Sequence, residues 1–164
     1  EPMIHQDVIL ELMQSLKELG FTHFTFETNG TVVLKEDIRF EMSKLGLDIT
    51  FSVSPKTSLS GNDKKIALNP EAVKSYYTNL HTISYLYFKF VIQNEEDIEE
   101  VKEWINIYKE NGVIPNEVYL MPVGGTACKE TDLTSIDVAN LCWKYGYRYS
   151  PREHITLFGN KWSA

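Results

Sequence analysis

Residues 83–92 (ISYLYFKFVI) are almost continuously β-branched or aromatic, and helical patterns stand on both sides of them. Such a run reads as a strand covered on both faces, which is how strands lie inside parallel sheets. After it, residues 95–111 repeat Ile98, Val101, Ile105 and Tyr108 at helical spacing and stop at Gly112. Before it, Asn69 as a cap and Pro70 in a first turn open a helix over 70–80. The same alternation runs through the whole chain. Asp7 caps a helix carrying Val8, Leu12, Leu16 and Leu19, which ends at Gly20, and residues 21–27 form a strand. Ile38, Met42 and Leu45 mark a helix over 36–45, and residues 47–53 alternate as a strand. Residues 117–121 are a short strand, 132–145 a helix closed by Gly146, and 147–149 a last strand. The tail from 150 to 164 reads as irregular or short-stranded. Strands that alternate with helices imply βα units, so the 164 residues are expected to form one α/β domain with a largely parallel sheet and flanking helices.

In such sheets chemistry gathers on the loops at the carboxyl ends of the strands. The candidate loops are 27–30, 54–56, 93–94 and 121–126. Residues 57–63 (TSLSGND) are the most loop-like stretch of the chain. If residues 21–27 lie at a sheet edge, that edge is apolar and uncharged, a liability that a preceding section of chain would remove.

Composition narrows the partners. The net charge is −7, with 23 acids against 16 bases and no basic cluster, which argues against a grip on nucleic acid. The acids at 95–103 read as a solvated helix face. No apolar run approaches the roughly 20 residues of a membrane helix. The start of the chain has neither the basic nor the apolar stretch of a signal peptide. Cys128 and Cys142, 14 positions apart, fit no disulfide framework or metal spacing, so a reducing cytoplasm is the simplest setting. The first reads as a loop thiol and the second as a core thiol. His5, His23 and His81 form no metal pattern, and Trp104 and Trp143 read as helix packing residues. Gly124-Gly125-Thr126 lacks the lysine and helix of a phosphate loop.

Four short elements carry more. They are Glu27-Thr28-Asn29-Gly30-Thr31, Ser54-Pro55-Lys56, Leu120-Met121-Pro122 and Tyr149-Ser150-Pro151-Arg152-Glu153-His154. Each alone is an ordinary turn or strand end, with Asn-Gly supplying positive φ. The chain also opens on Glu1-Pro2, like the second half of a Gly-Gly-Glu-Pro motif found in many radical S-adenosylmethionine enzymes. In this order and spacing the elements resemble the 7-carboxy-7-deazaguanine synthases over essentially the whole chain. That family has an aliphatic residue between the arginine and histidine of the last motif, where this chain has Glu153.

The resemblance implies a partial, modified (β/α) barrel in a homodimeric lyase of radical S-adenosylmethionine type. It implies reductive cleavage of S-adenosylmethionine at a [4Fe–4S] cluster fed by an electron donor, and a 5′-deoxyadenosyl radical. That radical abstracts hydrogen from 6-carboxy-5,6,7,8-tetrahydropterin, whose ring contracts to 7-carboxy-7-deazaguanine with loss of ammonia. Mg²⁺ takes part, and the product feeds queuosine and other 7-deazapurines. By the same resemblance Glu1, Glu27, Asn29, Ser54, Lys56 and Gln93 are the S-adenosylmethionine-side residues, with Glu1 at its amino group. Arg152 and His154 are placed in the substrate region. Those types suit an ammonium, a carboxylate and ribose hydroxyls on one side, and a pterin carboxylate on the other. The cysteine loop that would hold the cluster does not occur in this sequence, and Cys128 and Cys142 cannot replace it. The chain is therefore expected to be part of an enzyme, with the cluster and Mg²⁺ ligands upstream. The other reading is a non-catalytic pterin- or purine-binding half, or one subunit of a two-chain assembly. An upstream cysteine loop decides for the first, and a natural start near Glu1 for the second.

Overall fold

A computed structural model describes residues 1–76, 84–124 and 132–158. His81, Gly125, Thr126, Cys128, the end of the helix expected over 70–80 and the side chain of His154 lie outside the described part. A 3-10 turn, Pro2–His5, leads into α1 (Gln6–Glu18), β1 (His23–Thr28), α2 (Glu36–Lys44) and β2 (Asp48–Val53). A second 3-10 turn, Ser58–Ser60, and two short helices follow, α3 (Lys64–Ala67) and α4 (Pro70–Tyr76). Then come β3 (Ser84–Ile92), α5 (Asp97–Glu110), β4 (Glu117–Pro122), α6 (Ser135–Tyr145), β5 (Arg148–Tyr149) and α7 (Glu153–Phe158).

The five strands are parallel and lie in chain order, β1-β2-β3-β4-β5. Sequential order means that each crossover steps the same way across the sheet, without the reversal of a doubly wound fold. With crossovers of one hand the helices gather on one face, as in the wall of a (β/α) barrel. The register bears this out. Phe26, Phe51 and Leu86 align across the first three strands and are buried, as are Phe88, Phe90, Ile92 and Leu120. On them α4 sets Tyr76 against Phe51, with ring centroids 4.7 Å apart, and α5 sets Tyr108 against Phe88 at 4.5 Å. The opposite face carries Glu27, Ser52, Tyr87 and Glu117 in one row, then Lys89, Tyr119 and Arg148 in the next.

Several expectations are corrected here. Among the described residues helices cover β3 on one face: its residues alternate buried and half-buried, and Tyr85, Tyr87, Lys89 and Val91 look out on the polar face. α1 is turned so that Gln6 and Met13 face inward, leaving Val8, Leu12 and Leu19 exposed. Gln6 sets this rotation, because its amide donates to the Met3 and Val33 carbonyls and accepts from the Lys35 N–H. Asp7 does not cap the helix but pairs with Lys35 at 2.8 Å. Trp104 is fully buried, whereas Trp143 is 92% exposed and packs no core. α6 starts at Ser135 rather than 132, because Thr134 and Asp137 form a capping box. The tail is not irregular throughout, since α7 occupies 153–158. The acids at 95–103 are more than a solvated face: Glu100 accepts from the Ser58 N–H and hydroxyl, and Glu103 pairs with Lys64. Together they bind the 57–67 segment to α5.

Candidate functional site

The carboxyl ends of the strands form three adjoining clefts. The first, of about 270 Å³, is lined by Glu1, Glu27, Thr28, Asn29, Ser52, Ser54, Lys56 and Lys89. The second, of about 210 Å³, shares Ser54 and Lys56 with it and has apolar walls of Pro55, Leu59, Val91 and Val123. The third, of about 220 Å³, shares Val123, Gly124 and Arg152 with the second.

Local rules build the first cleft. β1 ends in a turn whose Gly30 has φ +77°, and a Cβ there would lie 2.8 Å from Val53 and 3.0 Å from Val73. Only glycine meets both demands. The Asn29 side chain is spent on the loop, its Oδ1 accepting from the Thr31 N–H at 3.0 Å and hydroxyl at 2.6 Å. Glu1 is fastened to the same turn: its carboxylate accepts from the Thr28 hydroxyl, the Asn29 N–H and the Met3 N–H at 2.7, 2.7 and 3.1 Å. Ser54 continues the ladder, its N–H donating to the Thr28 carbonyl and its hydroxyl to the Lys89 carbonyl. Buried Pro55 then swings the chain outward, and exposed Lys56 makes no ion pair among the described residues.

Five of the residues singled out in the sequence, Glu1, Glu27, Asn29, Ser54 and Lys56, thus share one cleft. Gln93 stands apart: its side-chain amide donates to buried Asp132, and it lines none of the three clefts. Arg152 lies where the second and third clefts meet, its guanidinium donating to the Gly124 carbonyl at 3.4 Å. A Cβ on Gly124 would lie 3.3 Å from the Arg152 Cδ, so this arginine uses the space that glycine leaves. Two cleft residues, Ser52 and Lys89, escaped the sequence reading. Lys89 pairs with Glu27 at 3.0 Å, bridging β1 and β3 across β2. A signal for it existed, since a charge inside an apolar strand marks a side chain that needs a polar face.

Two carboxylates, two ammonium groups and hydroxyl or amide oxygens in one cleft suit a zwitterionic ligand that also carries hydroxyls, which is the chemistry of S-adenosylmethionine. The described residues contain no group of three or more His, Cys, Asp or Glu placed to hold a metal ion. Those residues by themselves do not fit a [4Fe–4S] cluster or Mg²⁺.

A parallel sheet in sequential order, with charged residues converging in clefts at its carboxyl edge, defines an α/β protein of partial-barrel type. The relatives are more particular. The chain is similar to the 7-carboxy-7-deazaguanine synthase of Halobacterium salinarum, 28% identical over 98% of this chain and 63% of that one. It is similar to those of Pyrobaculum aerophilum, 30% identical over 67% of this chain and 43% of that one, and Hyperthermus butylicus, 26% identical over 96% and 62%. The resemblance read from the four motifs is therefore shared by whole-chain similarity to enzymes of that name. The chain spans less than two thirds of the length of these relatives. No family model matches it, and no solved structure matches it significantly. Among the described residues no helix is long and apolar enough to cross a membrane.

Proposed function

We propose that this chain supplies the S-adenosylmethionine subsite and part of the substrate pocket of a 7-carboxy-7-deazaguanine synthase. The observation that carries the reading is the convergence of Glu1, Glu27, Asn29, Ser54 and Lys56 in one cleft, in a chain similar along nearly its whole length to enzymes of that name. Lys56, exposed and without an ion pair among the described residues, takes the ligand carboxylate. Glu1 and Glu27 offer acceptors for its ammonium and hydroxyl groups, and Ser54 and the Asn29 turn close the sides. The apolar walls of the second cleft suit a flat heterocycle, and Arg152 at its far end suits the pterin carboxylate, with His154 following in α7. S-adenosylmethionine and a [4Fe–4S] cluster would supply the radical chemistry of the synthase when bound, and Mg²⁺ would take part in it. The residues named here bind, orient and exclude water. In this role the protein would work in the cytoplasm, as a homodimeric lyase served by an electron donor on the route to queuosine and other 7-deazapurines.

Anaerobic purification from the native source tests this reading. The protein should carry iron and convert 6-carboxy-5,6,7,8-tetrahydropterin to 7-carboxy-7-deazaguanine when given S-adenosylmethionine and reductant. A protein with no iron and no affinity for S-adenosylmethionine contradicts it.

A further inference from the structure

Two polar groups on the open face of the sheet return little stability to the fold. Lys89 is drawn in until its side chain is 19% exposed, whereas the other ion-paired lysines among the described residues remain 35–58% exposed. Its stem is thus packed against the sheet, while its hydrogen bond with Glu27, itself 71% exposed, lies open to water, where the attraction is screened and adds little to stability. Ser52 lies directly across from Glu27 in the register of β1 and β2. It is fully buried, and its hydroxyl has no hydrogen-bond partner among the described residues. A buried hydroxyl left unpaired is destabilising, and alanine in its place would remove that penalty. Methionine at 89 would likewise keep the apolar stem without the charge. Both residues line the first cleft, together with Glu27, Ser54 and Lys56. Departures from local stability that gather at one place mark a site that serves a ligand.

We propose that Lys89 is a positioning residue of this cleft. It holds the Glu27 carboxylate over Ser52, in the orientation in which Glu27 meets the N–H or O–H groups of S-adenosylmethionine. Ser52 is the hydrogen-bonding group that completes the floor once the ligand draws on the Glu27–Lys89 pair. The proposal rests on the functional reading above, and it adds two residues to which nothing in the sequence motifs gave a role.

The test uses the full-length protein and two readouts without turnover, calorimetric affinity for S-adenosylmethionine in the absence of reductant and the thermal midpoint. Lys89→Met should weaken binding tenfold or more without lowering the midpoint, and Lys89→Arg should restore most of the affinity. In a Glu27→Gln background Lys89→Met should weaken binding no further, because Lys89 acts through Glu27. Ser52→Ala should weaken binding severalfold while raising the midpoint, the opposite signs that separate a ligand role from a packing role. Unchanged affinity in Lys89→Met, or losses that add in full in the double variant, overturn the proposal while the parent reading stands. Affinity and midpoint falling together in both Lys89→Met and Ser52→Ala overturn it too. If the unaltered protein fails to bind S-adenosylmethionine, the parent reading falls and this one with it.

Discussion

Gly30 shows how little chain it takes to place a site. Its positive φ and the 2.8 Å approach of Val53 let β1 end in a turn tight enough to hold the Asn29 N–H under the Glu1 carboxylate. Gly30→Ala meets a strained backbone region and a collision at once, so it should destabilise the protein by about 1–3 kcal/mol. It should also displace the turn that binds Glu1. Denaturant unfolding measures the first effect, and a wild-type midpoint in the variant would contradict the packing described here. At this scale the sequence was partly legible. Asn29-Gly30 announces a turn, and Ser54-Pro55-Lys56 announces a strand end, because both depend on backbone preferences carried by the residues themselves. Ser52 was not legible, since serine in a strand looks like any alternation until the register sets it opposite Glu27. Nor was the partner of Gln93 legible: a polar residue at a strand end can turn to a neighbouring loop, as this one does toward Asp132.

The elements hold together through aromatic contacts between helices and sheet, and these carry a pH dependence. Tyr76 stacks on Phe51, and Tyr108 packs on Phe88. Burial pushes the Tyr76 phenol from 10.0 up to about 12, with the Glu1 charge adding to the rise and a hydrogen bond with Thr28 opposing it. Burial raises Tyr108 as well. A raised phenol pKa means that the folded state holds its proton more tightly than the unfolded chain. The associated stability is therefore fully present below about pH 10 and is lost as the pH climbs toward 12. The Tyr108 hydroxyl has no hydrogen-bond partner among the described residues, so Tyr108→Phe should leave stability near neutral pH unchanged or slightly raised. It should also reduce the alkaline loss. Chemical unfolding at pH 7 and at pH 11 checks both halves, and an unchanged alkaline loss in the variant would contradict the account. Helix faces were the least legible feature of the elements. The spacing of Val8, Leu12 and Leu19 is that of a buried stripe, yet the hydrogen bonds of Gln6 turn that stripe outward. Periodicity identifies a helix and leaves its rotation to tertiary contacts. β3 carried the converse lesson, since its unbroken apolar run concealed a face of tyrosines and one lysine.

On the scale of the whole molecule, order matters more than any element. Five parallel strands in chain order turn one face to the helices and the other to a polar surface, and they bring every strand end to the same edge. That is why residues 1, 27, 54 and 56, far apart in the chain, meet in one cleft. The alternation of strand and helix made the fold class legible, and the residues of the first two motifs meet at the carboxyl edge of the sheet. The lateral order of the strands, and with it the pairing of Glu27 with Lys89, became visible only in three dimensions. The most direct test of the central claim is a crystal structure of the full-length protein with S-adenosylmethionine bound. The account predicts its amino-acid moiety between Lys56 and the Glu1 carboxylate, with Glu27 in contact with the ligand and Lys89 beneath it. Density for the ligand elsewhere, with this cleft empty, would contradict it.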